Sequence, residues 1–366
     1  MMADIFEYLA WRGDLRMKSA VFNPVDSLIL CRLSYIPFDG IVASSHTGGS
    51  LTIVQAAERF FSPEGEKAAA GKVLFREDTR LLSALAQSGR FGSMRLSGYV
   101  NQIDPEEQKQ FSAITVHLED GSVFIAFRGT DNSLIGWRED FNMSYLPTVP
   151  SQHDAVAYLE SAAQQAGGGL RLGGHSKGGN LAVYAASFCA EILQSRILEV
   201  YNNDGPGFDA EVISRGGYQA IKDRIHTFVP QSSVIGMLLE HEEAYTVIHS
   251  TQTGIMQHDI YSWEVTRDGF ICLDTVSGSS RFIDRTLKEW VAGMDQGQRG
   301  KFFDALFEII GATNAKTTTE LTADWLKTAR LLLRSLKNVD TPTRKLISHT
   351  LGSLLGAAKK SLRRFD

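Results

Sequence analysis

Gly174-His175-Ser176-Lys177-Gly178 is the segment of this chain best suited to chemistry. A serine in a G-x-S-x-G spacing can sit on a sharp turn with its hydroxyl clear of the backbone, where it can attack a carbonyl carbon. Glycines are needed there because bulky side chains two positions away would collide around the strained turn. Five letters prove little without context. Here the apolar stretch Leu170 to Leu172 precedes the motif, and an Ala-rich run from Gly178 to Leu193 follows it. Strand, turn and helix form the setting a nucleophile elbow requires. The helix start offers free N–H groups and a positive dipole end, so the backbone N–H of Lys177 is a candidate oxyanion donor. The bland alternative is a buried structural serine in a glycine-rich turn.

A serine hydroxyl is a poor nucleophile without a neighbouring base. Of the nine histidines, His241, His249 and His258 follow late strands, where a Ser…Asp…His chain order places the base. His258 is preferred, with His241 as the fallback. His175 neighbours the serine, but its side chain is expected to point away. For the acid, Asp204 stands at the end of a predicted strand and could orient the imidazole. Its alternative role is to shape the turn in Asn203-Asp204-Gly205-Pro206. Asp259 is adjacent to His258 and so badly placed to orient it. Without an acid, Ser232 or Ser233 could hydrogen-bond the ring.

The elements that must hold these residues follow from periodicity. Val25 to Leu33 reads as a buried helix, and residues 41–110 as polar insertions with amphipathic helices such as Thr79 to Leu85. Phe111 to Leu118 and Val123 to Phe127, joined by Glu119-Asp120-Gly121-Ser122, read as a hairpin. Helix Ala155 to Gln165, strand Leu170 to Leu172, the Gly178 to Leu193 helix, strand Ile197 to Tyr201, helical crossover Ala210 to Ile221, and strands Ile225 to Val229 and Tyr245 to His249 then alternate. Such alternation predicts an α/β fold, a mainly parallel sheet with helices on both faces. Ser262 to Val265 and Phe270 to Leu273 suggest a second hairpin.

Phe127-Arg128-Gly129-Thr130, followed by Trp137 and Asp140, resembles the F-R-G-T/S…W…D segment of class 3 lipases, and it lies before the elbow as it does there. Tyr201 to Phe208 and Gln257-His258-Asp259 also resemble a bacterial family of lipase-like hydrolases of unknown function. The likeness covers roughly residues 1–275 and implies an α/β-hydrolase fold. It further implies that Thr130 lines the oxyanion hole opposite Lys177, and that His258 lies in the histidine segment. Arg128, Trp137 and Asp140 are expected to be structural, as an ion pair and a packed indole. In class 3 lipases the acid follows the strand here spanning Ile225 to Val229, where this chain has Pro230-Gln231-Ser232-Ser233. Asp204 resembles the arrangement in which the acid has moved one strand earlier.

The expected activity is therefore ester cleavage through an acyl-serine. The alternatives are a thioesterase or acyltransferase using the same residues, and a degenerate fold kept as a binding or scaffolding protein. The composition, 43% apolar and 22% charged, is that of a globular chain with material for a sizeable core. A net charge of −5 gives no general pull toward nucleic acid. Cys31, Cys189 and Cys272 show no metal or redox spacing and read as buried small hydrophobes. No metal cluster or dinucleotide fingerprint is visible, so no cofactor is expected. The first residues do not read as a signal peptide, and a cytoplasmic location is the default expectation. Residues 1–295 are expected to form the hydrolase domain, and residues 296–366 a helical extension with 13 Lys/Arg against 6 Asp/Glu. Ile347, Leu351, Leu354, Leu355, Ala358, Leu362 and Phe365 fall on one helical face there. That helix could pack on the acidic body or dock peripherally on an anionic membrane carrying a lipid substrate.

Overall fold

The computed structural model describes residues 3–277, apart from 45, 132, 144 and 145. The helical extension at 296–366 lies outside the described residues, and so do the expectations attached to it. Among the described residues one nine-stranded sheet forms, each strand pairing with the next in sequence. Its strands are β1 Leu51–Thr52, β2 Arg95–Asp104, β3 Lys109–His117, β4 Val123–Phe127, β5 Leu170–His175, β6 Ile197–Asn203, β7 Ile225–Pro230, β8 Tyr245–Ile248 and β9 Cys272–Leu273. From β4 to β8 the pairing is parallel. Both margins are antiparallel. The sheet is thus mixed, with a parallel centre: hairpins join β2 to β3 and β3 to β4, and β1 and β9 pair antiparallel at the margins.

Eight helices accompany it up to the site: α1 Ile5–Arg12, α2 Pro24–Leu33, α3 Ile53–Phe60, α4 Pro63–Ala69, α5 Arg76–Gln87, α6 Leu134–Asn142, α7 Pro150–Gln165 and α8 Lys177–Phe188. All five residues of β4 are buried, as a strand covered on both faces must be. Their alternation assigns the two layers. Phe124 and Ala126 join one core with α1, α2, α3 and α5 residues such as Ile5, Leu28, Ile53 and Leu82. Val123, Ile125 and Phe127 join the other with α7 and α8 residues such as Leu159, Leu181 and Ala185. The N-terminal helices are therefore part of the sheet's cover. Asn23 caps α2 by accepting from Val25 and Asp26 amides, with Pro24 preset for the first turn. The buried Arg90–Asp26 pair (2.5 Å) fixes this segment, Arg90 also donating to the carbonyls of Leu15, Ala20 and Val21.

Several expectations change. Residues 41–110 contain the ten-residue β2 besides helices. Its outer half, Asn101 to Asp104, is mostly polar and partly exposed, with Ile103 turned to solvent, which hid the strand's alternation. The helix after the elbow stops at Phe188, and a separate turn, Glu191–Gln194, follows. The second hairpin shrinks to a Val265–Phe270 bridge, with Cys272–Leu273 pairing with β8. Cys31 and Cys189 are buried, but Cys272 is exposed on that edge strand. No helix among the described residues is long and apolar enough to cross a membrane.

Candidate active site

Register brings the carboxyl ends of the central strands level: Phe127 pairs with Gly174, His175 with Asn203, and Asn203 with Phe228. The loops after β4, β5 and β6 therefore emerge together, at the edge where open parallel sheets present their sites. Ser176 occupies the turn between β5 and α8 with φ 60° and ψ −135°, a conformation rare for any residue with a side chain. Holding it costs about 1–3 kcal/mol, which the surroundings must supply. The Ser176 N–H donates to the Asn203 carbonyl (3.0 Å), and its carbonyl accepts from Gly179 (2.9 Å). The flanking glycines have steric reasons. A Cβ on Gly174 would lie 2.1 Å from the Gly178 carbonyl, and one on Gly178 would lie 2.1 Å from the Phe127 oxygen. Ser176 remains partly exposed.

Asp204 follows β6 with φ +53°, its amide donating to the Phe228 carbonyl at 2.8 Å. That left-handed turn directs a buried carboxylate at His258: Nδ1 of the ring lies 2.6 Å from Asp204 Oδ2. The other oxygen accepts from Ser233 Oγ (2.5 Å) and the Gly236 amide (3.2 Å). Ser233 thus supports the acid rather than the imidazole. With Nδ1–H given to a carboxylate, the neutral ring keeps its lone pair on Nε2. His258 ends the 3₁₀ turn Gly254–His258 and is a quarter exposed. Its loop is fastened by Gln257, whose side chain accepts from the Ser232 amide (2.7 Å) and whose carbonyl accepts from the Trp263 indole (2.8 Å). The His258 ring lies 4.4 Å, centroid to centroid, from that of His175, the neighbour of Ser176.

The other histidines weighed as bases, and the neighbour of Ser176, are committed elsewhere. His241 meets Glu243 through Nδ1 (3.0 Å) and the Gly236 carbonyl through Nε2 (2.8 Å). His249 pairs with Glu264. Asp259 caps the turn that follows it, accepting from the Tyr261 amide at 3.1 Å, and burial raises its carboxyl. His175 turns its nitrogens toward the Tyr35 hydroxyl (3.2 Å) and the His258 carbonyl (2.8 Å).

On the other side of the turn, Lys177 has a backbone N–H without an intrahelical partner, because it is the first residue of α8. Its ammonium is buried and donates to Glu139 (2.8 Å) and to the backbone and side-chain oxygens of Gln110 (2.8 and 2.9 Å). Glu139 also accepts from the amides of Gln110 and Ser151, tying α6 and α7 to β3 beneath the elbow. Thr130 commits its hydroxyl to Asp140 at 2.5 Å. Partial burial pushes the Asp140 carboxyl up to about 6, against the pull of the Lys177 ammonium. Arg128 pairs with Asp131 at 3.2 Å and reaches Asn101 at 3.0 Å. Trp137, expected as a packed indole, is 43% exposed. Among the described residues, no three His, Cys, Asp or Glu side chains converge as metal ligands do.

The fold is a mixed α/β architecture, with helices on both faces of a sheet whose central strands are parallel. The chain belongs to the Mbeg1-like family, whose family model matches residues 85–308, more than half of its length. No curated protein matches it. Among solved structures, it is similar to a mutant of MDLA from Penicillium cyclopium, at 15% identity and a TM-score of 0.37, over 70% of this chain and 87% of that one. It is also similar to the native Rhizomucor miehei lipase propeptide complex, at 14% identity and a TM-score of 0.37, over 60% of this chain and 80% of that one.

Proposed function

We propose that this protein is a serine hydrolase that cleaves carboxylic esters through an acyl-enzyme on Ser176. The observation that carries the reading is the 2.6 Å contact between His258 Nδ1 and Asp204 Oδ2, made beside the residue that precedes a strained, partly exposed serine. Asp204 orients the ring and stabilises the imidazolium that forms when Nε2 takes the Ser176 proton. Ser176 Oγ bonds to the ester carbonyl carbon, and the carbonyl oxygen becomes an alkoxide. The backbone N–H groups of Lys177 and Thr130 receive it. The Thr130 hydroxyl is excluded, since its proton already goes to Asp140. Collapse expels the alcohol, which takes its proton from His258. Water activated by the same ring then releases the acid.

The segment after β7 has no carboxylate, which is the feature that favours a scaffold without chemistry. The Asp204 carboxylate, reaching the His258 ring from the preceding strand, supports the hydrolase reading instead. Thioester cleavage and acyl transfer run through the same acyl-serine and differ only in the leaving group, a thiol, or in the acceptor that replaces water.

The test is turnover of a short-chain 4-nitrophenyl ester by the wild type and by Ser176→Ala. The wild type should hydrolyse it, and the variant should fall roughly 10⁴- to 10⁶-fold, toward background. Equal turnover by both would remove Ser176 from the reaction.

A further inference from the structure

Four groups from distant parts of the chain form one hydrogen-bonded line behind the site. The Gly129 amide donates to the Tyr35 hydroxyl (3.1 Å). That hydroxyl lies 3.2 Å from His175 Nδ1 and 3.3 Å from the His175 carbonyl. His175 Nε2 lies 2.8 Å from the carbonyl of His258. Chemistry fixes the direction of every bond. A carbonyl cannot donate, so His175 Nε2 carries the proton. The neutral ring then has its lone pair on Nδ1, and the tyrosine proton points to His175. Tyr35 and His175 are both buried. Burial, with the charge of Arg32 close by, keeps His175 neutral by lowering its pKa well below the ordinary value, which preserves this tautomer. The Arg32 guanidinium lies 4.4 Å from the centre of the Tyr35 ring and is itself held by Asp78 at 2.5 and 2.8 Å.

We infer that Tyr35 and His175 are positioning residues that lock the loop carrying Gly129 and Thr130 to the loop carrying His258, through the residue preceding the nucleophile. This rests on the serine hydrolase reading and says how its donor side and its base are kept in register. Gly129 is packed too closely to carry a side chain: a Cβ there would lie 2.3 Å from the Tyr35 hydroxyl and 2.5 Å from the His175 carbonyl. The His258 ring, 4.4 Å from that of His175, is held by its own backbone carbonyl on one side and by Asp204 on the other.

Two amide substitutions separate positioning from mere polarity. In His175→Gln the side-chain amide reaches about as far as Nε2 and can still donate to the His258 carbonyl. In His175→Asn it stops at the position of Nδ1. His175→Gln should stay within about threefold of wild-type kcat, while His175→Asn and Tyr35→Phe should fall about 10- to 100-fold with KM nearly unchanged, the cost of a small misplacement at a reacting centre. A second readout needs no turnover. The downfield proton shared by His258 and Asp204 should be seen by NMR in the wild type and in His175→Gln, and should shift or broaden in His175→Asn. Equal kcat for the two amides, with an unmoved resonance in both, would overturn the inference. If the wild type itself turns over no ester, the hydrolase reading fails, and the resonance alone then decides whether the line positions His258. Should Tyr35→Phe not fold, the comparison of the two amides stands by itself.

Discussion

His258 and Asp204 meet at 2.6 Å although they lie 54 positions apart in the chain, and the carboxylate follows β6, the strand next to the one that ends before Ser176. Asp259, the neighbour of His258 in sequence, accepts from the Tyr261 amide instead. Asp204→Asn should therefore lower kcat on a nitrophenyl ester by about 10⁴-fold, because an amide at that place favours the wrong imidazole tautomer. Asp259→Asn should change kcat little. Steady-state kinetics on both variants checks this, and equal losses would take Asp204 out of the role.

The buried pair between Lys177 and Glu139 secures the floor of the site, with both side chains at most 1% exposed. Removing one partner leaves an uncompensated buried charge. Glu139→Leu should lower unfolding free energy by about 3–5 kcal/mol. Adding Lys177→Met to that variant should recover part of the loss, since the stranded ammonium goes too. Denaturant titration of the two variants measures both effects.

Gly178 carries the first turn of α8 past β4. Gly178→Ala would put a carbon 2.1 Å from the Phe127 oxygen, a backbone atom with little freedom to yield. Such overpacking costs about 1–3 kcal/mol or more, and it should also disturb Ser176 two residues away. Gly216→Ala meets nothing within 4 Å and should leave both melting temperature and activity near wild type. Comparing the two separates a local steric requirement from a general intolerance of alanine.

Burial lowers the pKa values of His46, His117 and His175 below the ordinary histidine value of 6.5. Below that value the unfolded chain binds protons that the folded chain refuses, so stability is retained above 6.5 and lost as pH falls toward the depressed folded values. Each fully depressed histidine contributes up to about 1.4 kcal/mol per pH unit in that window. His175→Gln should flatten the acid side of a melting-temperature profile between pH 6.5 and 5. A slope identical to wild type would show that His175 titrates alike in both states.

Much of this site can be read in the residues themselves. Gly174 to Gly178 announces its turn because a strand pattern precedes it and a helix pattern follows it, and Asp204 is reachable as the carboxylate just after the strand Ile197–Asn203. The pairing of His258 with Asp204 needed coordinates, since Ser232 and Ser233 offered plausible alternative partners. Tyr35 had no local signal at all: it follows α2, and its bond to His175 spans 140 residues. Lys177 beside a nucleophile reads as a surface charge until Glu139 and Gln110 are seen around it. The polar outer half of β2 concealed a strand that only its pairing with β3 reveals.

The most direct test of the account is reaction with a fluorophosphonate probe, followed by mass spectrometry of the labelled peptide. An activated serine should take up one probe, on the peptide bearing Ser176, and Ser176→Ala should take up none while remaining folded. A folded wild type that ignores the probe, or an adduct on another residue, would contradict the claim that this turn carries a catalytic nucleophile.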